Sequence, residues 1–295
     1  MVFNLDSDKF RTAVLELIRR TSTNLSPDVV QAITDARDSE EENSSARGVL
    51  TAILKNIERA CEKSTPICQD TGTNIYYVTV PEGLSMRKVS EIIYSATKVA
   101  TEKVYLRPNA VDPVTGINSG DNIGIMSPDI HFDEWDEPSI RVRLMLKGGG
   151  CENVSAQYTL PDTNLKAGRD LDGIYRCILD AVVMAQGKGC APGILGIGVG
   201  GDRSTGMITA KKQLFRKLDD VNPDTELARL ETRLLKDLNT LGIGPMGFGG
   251  KTTALAVKIG KAHRLPASFF VSVSYMCWAD RRKTMIFSEK EVIYD

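Results

Sequence analysis

The chain is predicted to fold as a mixed α/β (α+β) protein, on three features of its sequence. Apolar residues recur at helical spacing up to about residue 62. Beyond that point, short runs rich in Ile, Val and Tyr alternate with further helical stretches. Gly- and Pro-rich turns separate these segments, with no low-complexity tract or flexible linker. A length of 295 residues and a hydrophobic content of 42% suffice for one large core. The expected organisation is a single domain over 1–295, with a helical amino-terminal segment of about 1–62 and a sheet-and-helix body of about 63–295.

The elements follow in order. Phe10, Val14, Leu17 and Ile18 share one helical face, with Ser7 or Asp8 placed to cap it. Ser26-Pro27-Asp28 opens a second helix, with Pro at the first helical position, where a backbone N–H is not needed. Val49, Leu50, Ile53, Leu54, Ile57 and Ala60 give a third helix that ends at Cys61, and the charged run 35–42 reads as a solvated helix end or connection. Residues 74–80 read as a strand, 86–103 as a helix and 106–122 as loop. Residues 139–146 alternate polar and apolar like a half-buried strand, and 171–186 form a helix that buries Cys177. A strand at 194–199, helices at 205–218 and 225–238, and strands at 252–259 and 268–275 complete the prediction.

Composition narrows the function. A formal net charge of -1 gives no pull toward nucleic acid or an anionic membrane, so neither is an expected partner. The start Met1-Val2-Phe3-Asn4-Leu5-Asp6 lacks a basic flank and a long apolar run, and no stretch approaches a membrane span, so a cytoplasmic location is expected. Six cysteines thinly spread along such a chain are expected to be reduced thiols. Two histidines, His131 and His263, are too few for a His-rich zinc or non-haem iron site.

Three Gly-rich segments invite phosphate chemistry. Gly196-Ile197-Gly198-Val199-Gly200-Gly201 fits the dinucleotide pattern, but a lone match without a βαβ repeat reads as a Gly-rich turn of the fold. Gly250-Lys251-Thr252 resembles the end of a P-loop, yet Pro245 stands where that pattern needs Gly. The run from Gly242 to Gly250 is expected to bring backbone N–H groups to a ligand or to pack tightly. Lys147-Gly148-Gly149-Gly150-Cys151 is either a tight bend or an anion contact.

The most informative residues are cysteines in turns: Cys68 in Ile67-Cys68-Gln69-Asp70-Thr71-Gly72, Cys190 in Gly189-Cys190-Ala191-Pro192, and Cys277 in Tyr275-Met276-Cys277-Trp278-Ala279-Asp280-Arg281. Each follows or ends a regular element beside polar groups, as a ligand to an exposed metal centre does. Three thiolates are one short of the four that close a [4Fe–4S] cluster. An iron without a protein ligand binds substrate as a Lewis acid. Cys151 is the competing fourth thiolate, whereas Cys61 and Cys177, on predicted helices, are expected to be buried small apolar side chains. Asp70 is placed for proton handling or for capping a turn, and Arg107 and Arg281 for clamping a carboxylate or for surface ion pairs.

Together with Leu106-Arg107, Asn118-Ser119-Gly120-Asp121-Asn122, Lys147-Gly148-Gly149-Gly150 and Leu241-Gly242-Ile243-Gly244-Pro245, these turns resemble one family from about Cys61 to Arg282. It is the iron–sulfur hydro-lyases of the class I fumarase and L-tartrate dehydratase group, specifically their α subunit. The resemblance implies cluster ligands at Cys68, Cys190 and Cys277, with one iron not held by protein. It implies substrate contacts at Gln69, Arg107, Gly149 and Gly150, and proton transfer by Asp70. The implied reaction is reversible hydration of fumarate or a close dicarboxylate, with L-tartrate or mesaconate-type dehydration as the alternative. A non-catalytic iron–sulfur carrier or sensor, with Cys151 as the fourth ligand, and a Gly-rich nucleotide module are the readings from other classes.

The family often has a substrate-binding His twelve residues before the third cluster Cys, where this sequence has Leu265 in Arg264-Leu265-Pro266. Where Cys151 stands, the family usually has Ser. Single-chain members carry a further domain with a catalytic Thr and more carboxylate-binding cations. The implied partner is therefore a separate β subunit that completes the active site, in a hetero-oligomer such as α2β2.

Overall fold

The computed structural model describes residues 3–295. In chain order the elements are α1 (Ser7–Thr23), α2 (Pro27–Ser39), α3 (Ser45–Lys63), β1 (Thr73–Pro81), α4 (Met86–Glu102), β2 (Asp129–Trp135), β3 (Ser139–Lys147), α5 (Gly149–Asn153), β4 (Ala156–Thr159), α6 (Leu171–Ala185), β5 (Gly193–Gly200), α7 (Arg203–Gln213), α8 (Thr225–Leu238), a 3-10 turn (Pro245–Gly247), β6 (Ala254–Ala262), β7 (Phe270–Met276), β8 (Arg282–Ser288) and β9 (Val292–Tyr294). The fold is mixed α/β with a helical amino terminus, as predicted. Contacts divide it into two compact units. One comprises Met1–Ser26, Asn56–Gly148 and Arg281–Asp295; the other comprises Pro27–Lys55 and Gly149–Asp280.

The first unit is a five-stranded sheet in the order β2-β1-β3-β8-β9. β1 and β2 run parallel and the other pairs are antiparallel. Its core joins Phe10, Val14, Leu17 and Ile18 of α1 and Val89, Ile93 and Ala96 of α4 to Tyr76, Val78, Val142, Leu144 and Phe287 of the sheet. Each fully buried side chain of the Val, Leu, Ile or Phe type contributes about 1.5–3 kcal/mol. The α1 cap is Asp6 and not the expected Ser7 or Asp8; its Oδ1 accepts from the amides of Asp8 and Lys9 at 3.2 and 3.0 Å.

The second unit is a four-stranded sheet in the order β4-β7-β5-β6, with β5 parallel to β6 and antiparallel to β7. The Gly-x-Gly run is a strand here and not a turn. A Cβ on Gly196 would strike the Ala210 carbonyl, and one on Gly198 the Gly206 carbonyl, so these glycines let α7 lie directly on β5. A partly buried charge network ties β6 to α8 and to the segment after α7. Lys258 Nζ donates to Asp220 Oδ1 at 2.7 Å, and Arg216 bridges Asp220 and Glu231 at 2.8 Å each. Glu231 Oε1 also accepts from Asn222 Nδ2 at 2.7 Å and from the Ile259 amide at 2.6 Å.

Several elements escaped prediction. β2 carries three acidic residues (Asp129, Asp133 and Glu134) that mask its Ile130/Phe132 alternation, and β4, β9 and α5 are too short for a period to show. α7 stops at Gln213 and not at 218, and Arg216 turns to its two carboxylates instead. Cys177 is buried as expected, which pushes its thiol up to about 12, with Asp162 and Asp180 adding to the shift. Cys61 is exposed, contrary to expectation, because it falls on the solvent side of the last turn of α3 beside Glu62 and Lys63.

Candidate active site

In the first unit the Cys68 turn is pinned at its start. The Ile67 amide donates to the Ser22 carbonyl at 3.0 Å, and the Ile67 carbonyl accepts from Asn56 Nδ2 at 2.8 Å. Beyond buried Ile67, Cys68 is half-buried and Gln69 and Asp70 are exposed. Asp70 does close a turn, its Oδ1 accepting from the Gly72 amide at 3.0 Å. Gly72 has φ +80°, and a Cβ there would stand 2.7 Å from the Lys147 carbonyl carbon, so no other residue permits this close crossing of strand β3.

Arg281 is not a surface ion-pair residue. It is 1% exposed, and its Nη1 donates to the Asp70 carbonyl at 2.6 Å. A Cβ on Gly148 would lie 3.1 Å from Asp70 Oδ2 and 3.5 Å from Arg281 Nη2, so this glycine makes room for the carboxylate beside the guanidinium. The same unit presents Arg107 on an adjacent loop. Its amide donates to Thr71 Oγ1 at 3.0 Å, and its exposed guanidinium reaches the Gln69 carbonyl at 3.4 Å. The Asn118–Asn122 motif supports that loop from beneath. Asn122 Nδ2 donates to the Arg107 carbonyl at 2.8 Å, and Asn109 Nδ2 donates to Thr71 Oγ1 at 2.9 Å. Gln69, Asp70 and Arg107 therefore share one surface with Cys68.

In the second unit Cys190 and Cys277 stand at the same end of two neighbouring strands. Cys190 precedes β5 and Cys277 follows β7, and the pairing of Ile194 with Met276 places the two strand ends side by side. The Trp278 amide donates to the Cys190 carbonyl at 3.3 Å, tying the two turns together. Cys190 itself has φ 57°, and both thiols are half-buried. Gly149 and Gly150 begin α5 and are exposed; a Cβ on Gly150 would be 3.9 Å from the Lys188 carbonyl of the Cys190 turn.

Tyr275 stands two places before Cys277 and was not singled out in the sequence. Burial holds its hydroxyl well above the usual phenol range, and Cys277, Cys151 and Cys190 around it add to the shift. Cys151 is buried in this group, so it lies near two of the candidate ligands. Leu265 lies in an exposed loop between β6 and β7, at the opposite end of β7 from Cys277.

The Gly250-Lys251-Thr252 segment holds an anion, and the anion is the chain's own. Glu40, 5% exposed, accepts from the Lys251 amide at 2.8 and 3.0 Å and from the Thr252 amide at 3.0 Å. Oriented backbone N–H groups in a Gly-rich turn attract negative charge, and here a carboxylate fills the turn from within.

Cys68, Cys190 and Cys277 are cysteines of intermediate exposure, and soft thiolates suit iron–sulfur clusters. Among the described residues, no group of three or more His, Cys, Asp or Glu side chains is gathered to hold a single metal ion. A cluster sets no such requirement, because its thiolates bind different irons. Among the described residues, no helix is long and apolar enough to cross a membrane.

The chain as a whole is similar to known proteins. The sequence model of the fumarate hydratase (Fumerase) family matches residues 11–286, and the chain belongs to that family. It is 50% identical over 278 residues to a Geobacillus stearothermophilus protein named as a class I fumarate hydratase, a match that covers 93% of this chain and 54% of the relative. The chain thus spans about half the length of that relative. It is 39% identical to a Methanocaldococcus jannaschii protein named as an L(+)-tartrate dehydratase subunit alpha, with 93% of this chain and 96% of the relative covered. Against the L(+)-tartrate dehydratase subunit alpha of Escherichia coli K12 the identity is 29%, with 95% and 91% covered.

Proposed function

We propose that this chain is the α subunit of a two-subunit [4Fe–4S] hydro-lyase that adds water reversibly to fumarate, giving malate, or to a close dicarboxylate. The observation that carries this reading is the family match over residues 11–286, joined to relatives named as alpha subunits that correspond to this chain over 91–96% of their own length. Cys68, Cys190 and Cys277 are the proposed ligands, assigned by their motifs and by the half-buried position of each cysteine. When bound, the cluster supplies a Lewis-acidic iron that polarises a substrate oxygen without a redox change. Its expected setting is the cytoplasm.

The chain's own residues do the rest of its share. Arg107 offers exposed N–H donors in a fork that matches a carboxylate, and its loop is fixed by Thr71 and Asn122. Loss of a proton next to a carboxylate builds charge there, and a positioned cation stabilises that charge. Gln69 and the Gly149/Gly150 backbone amides orient the substrate. Asp70 carries the proton, its carboxylate aimed by the Gly72 amide at one oxygen. A β subunit supplies the remaining cations and the partner base.

Fumarate is preferred over tartrate because the relative named as a class I fumarate hydratase is 50% identical, against 39% and 29% for those named as tartrate dehydratases. The test is anaerobic production with a β subunit, then assays of fumarate and mesaconate hydration and L-tartrate dehydration. Fumarate is expected to turn over fastest. No turnover of any of the three by a complex with an intact cluster would overturn the reading.

A further inference from the structure

We infer that the loop excursion 110–127 is the seat of the polypeptide that completes the active site, and that this polypeptide is equivalent to the part of the Geobacillus relative outside its match to this chain. The inference rests on the proposed two-part hydro-lyase.

The excursion makes two bends. The first closes on Asp112: its carboxylate accepts from the amides of Val114 and Thr115 at 3.0 and 2.7 Å and from Thr115 Oγ1 at 3.0 Å. The Asp112 amide donates to the Ile117 carbonyl at 2.9 Å, and Ser119 closes the base onto Ala110 at 2.8 Å. The second bend is closed by Gly124 and Ser127, which exchange backbone hydrogen bonds at 2.9 and 3.1 Å. On this fixed frame the apolar side chains face outward. Val114 is 91% exposed and Ile125 97%, and Val111, Ile117 and Met126 are each more than half exposed. With Pro113 and Ile123, the side chains of Val111, Val114, Ile117 and Ile125 frame a concavity of about 680 Å³. Single exposed apolar residues are ordinary; a contiguous, internally hydrogen-bonded group of them marks an interaction surface. Because the frame is already ordered, docking onto it costs little conformational entropy.

The occupant follows from where the excursion is rooted. Asn122, at the foot of the second bend, holds the Arg107 carbonyl and, through its Oδ1, the Asn109 amide at 2.8 Å. Asn109 in turn holds Thr71, next to Gln69 and Asp70. A body resting on Val114 and Ile125 therefore sits on the excursion whose foot is hydrogen-bonded to the Arg107 backbone, and it brings its own groups toward that residue. A second copy of this chain would bring a duplicate of the same half-site and none of the missing cations. The Geobacillus relative carries about as much sequence again beyond its match.

The test compares amide hydrogen exchange over 110–127 in the full chain alone and in its complex with that remaining part of the Geobacillus relative, produced as a separate polypeptide. Exchange across the two bends is expected to slow at least tenfold in the complex. A Val114→Asp/Ile125→Asp variant is expected to weaken the complex about a hundredfold with the melting temperature of the isolated chain unchanged, and Val114→Ser to weaken it in the same direction. An active complex in which 110–127 stays unprotected would overturn the inference and leave the hydro-lyase reading standing. Protection that grows with the concentration of the chain alone would assign the face to a second copy and overturn it too. A complex that protects 110–127 but hydrates no dicarboxylate would uphold the docking seat and sink the proposed function.

Discussion

Replacing Glu40 with Gln keeps the shape of the side chain that fills the Gly250–Thr252 turn and removes its charge. The carboxylate accepts from two amides, those of Lys251 and Thr252, at 2.8–3.0 Å in a nearly closed site. A hydrogen bond to a charged acceptor is worth about 1.5–3 kcal/mol and a neutral one about 0.5–1.5 kcal/mol, so each donor loses about 1–1.5 kcal/mol. Over two donors the expected destabilisation is about 2–3 kcal/mol. Glu40→Ala goes further, because it leaves the amides aimed at an empty pocket. Thermal unfolding and hydrogen exchange at the Thr252 amide read the loss locally. An emptied turn is also an anion site, so excess sulfate is expected to raise the melting temperature of the Ala variant more than that of the wild type. Glu40→Gln within 0.5 kcal/mol of wild type, a bound set at about the ordinary effect of a surface substitution, together with no sulfate rescue of the Ala variant, would refute the argument.

Two other predictions concern the site and the core. Arg281→Lys keeps a charge but cannot reproduce the fork against the Asp70 turn. The loss of a charged donor on the Asp70 carbonyl is expected to cost about 1.5–3 kcal/mol and to move the pH profile of hydration, whereas a merely structural residue would leave that profile in place. For Asp220, burial acts upward, but the hydrogen bonds and charges of Arg216 and Lys258 outweigh it and hold the carboxyl below its ordinary value. A carboxyl depressed in the folded state stabilises above its unfolded pKa, and the stabilisation is lost as pH falls through the folded value. Acid titration of stability is therefore expected to flatten in Asp220→Asn, and an unchanged acid limb would contradict the network's role.

Much of the fold was legible because its helices are strongly periodic. Phe10/Val14/Leu17/Ile18 and Val49 through Ala60 carry the spacing that α1 and α3 obey, and Pro27 marks the start of α2. β8 and β9 were not legible, since Arg282 and Lys283 begin β8 with charges that are buried in the structure. Local sequence cannot show that a cation will find partners inside. Arg281 failed in the same way: its role depends on Asp70, 211 positions away in the chain. The Gly196–Gly201 segment was read as a turn and lies largely in strand β5, and the residue that answers Gly250–Thr252 is Glu40, in a charged run expected to face solvent. Leu265 was weighed as a determinant of substrate, and it stands before β7, the strand expected at 268–275, whereas Cys277 follows that strand.

The proposed ligand set of the cluster is three thiolates, and not four. It is tested most directly by Mössbauer and EPR spectra of the anaerobically reconstituted complex, comparing wild type with Cys68→Ala, Cys190→Ala, Cys277→Ala and Cys151→Ala. The account predicts a [4Fe–4S] signal with one distinct iron that shifts when fumarate or malate is added. It predicts that the signal survives in Cys151→Ala and disappears in each of the other three. A cluster that is lost in Cys151→Ala, or that persists without any one of Cys68, Cys190 and Cys277, would contradict it.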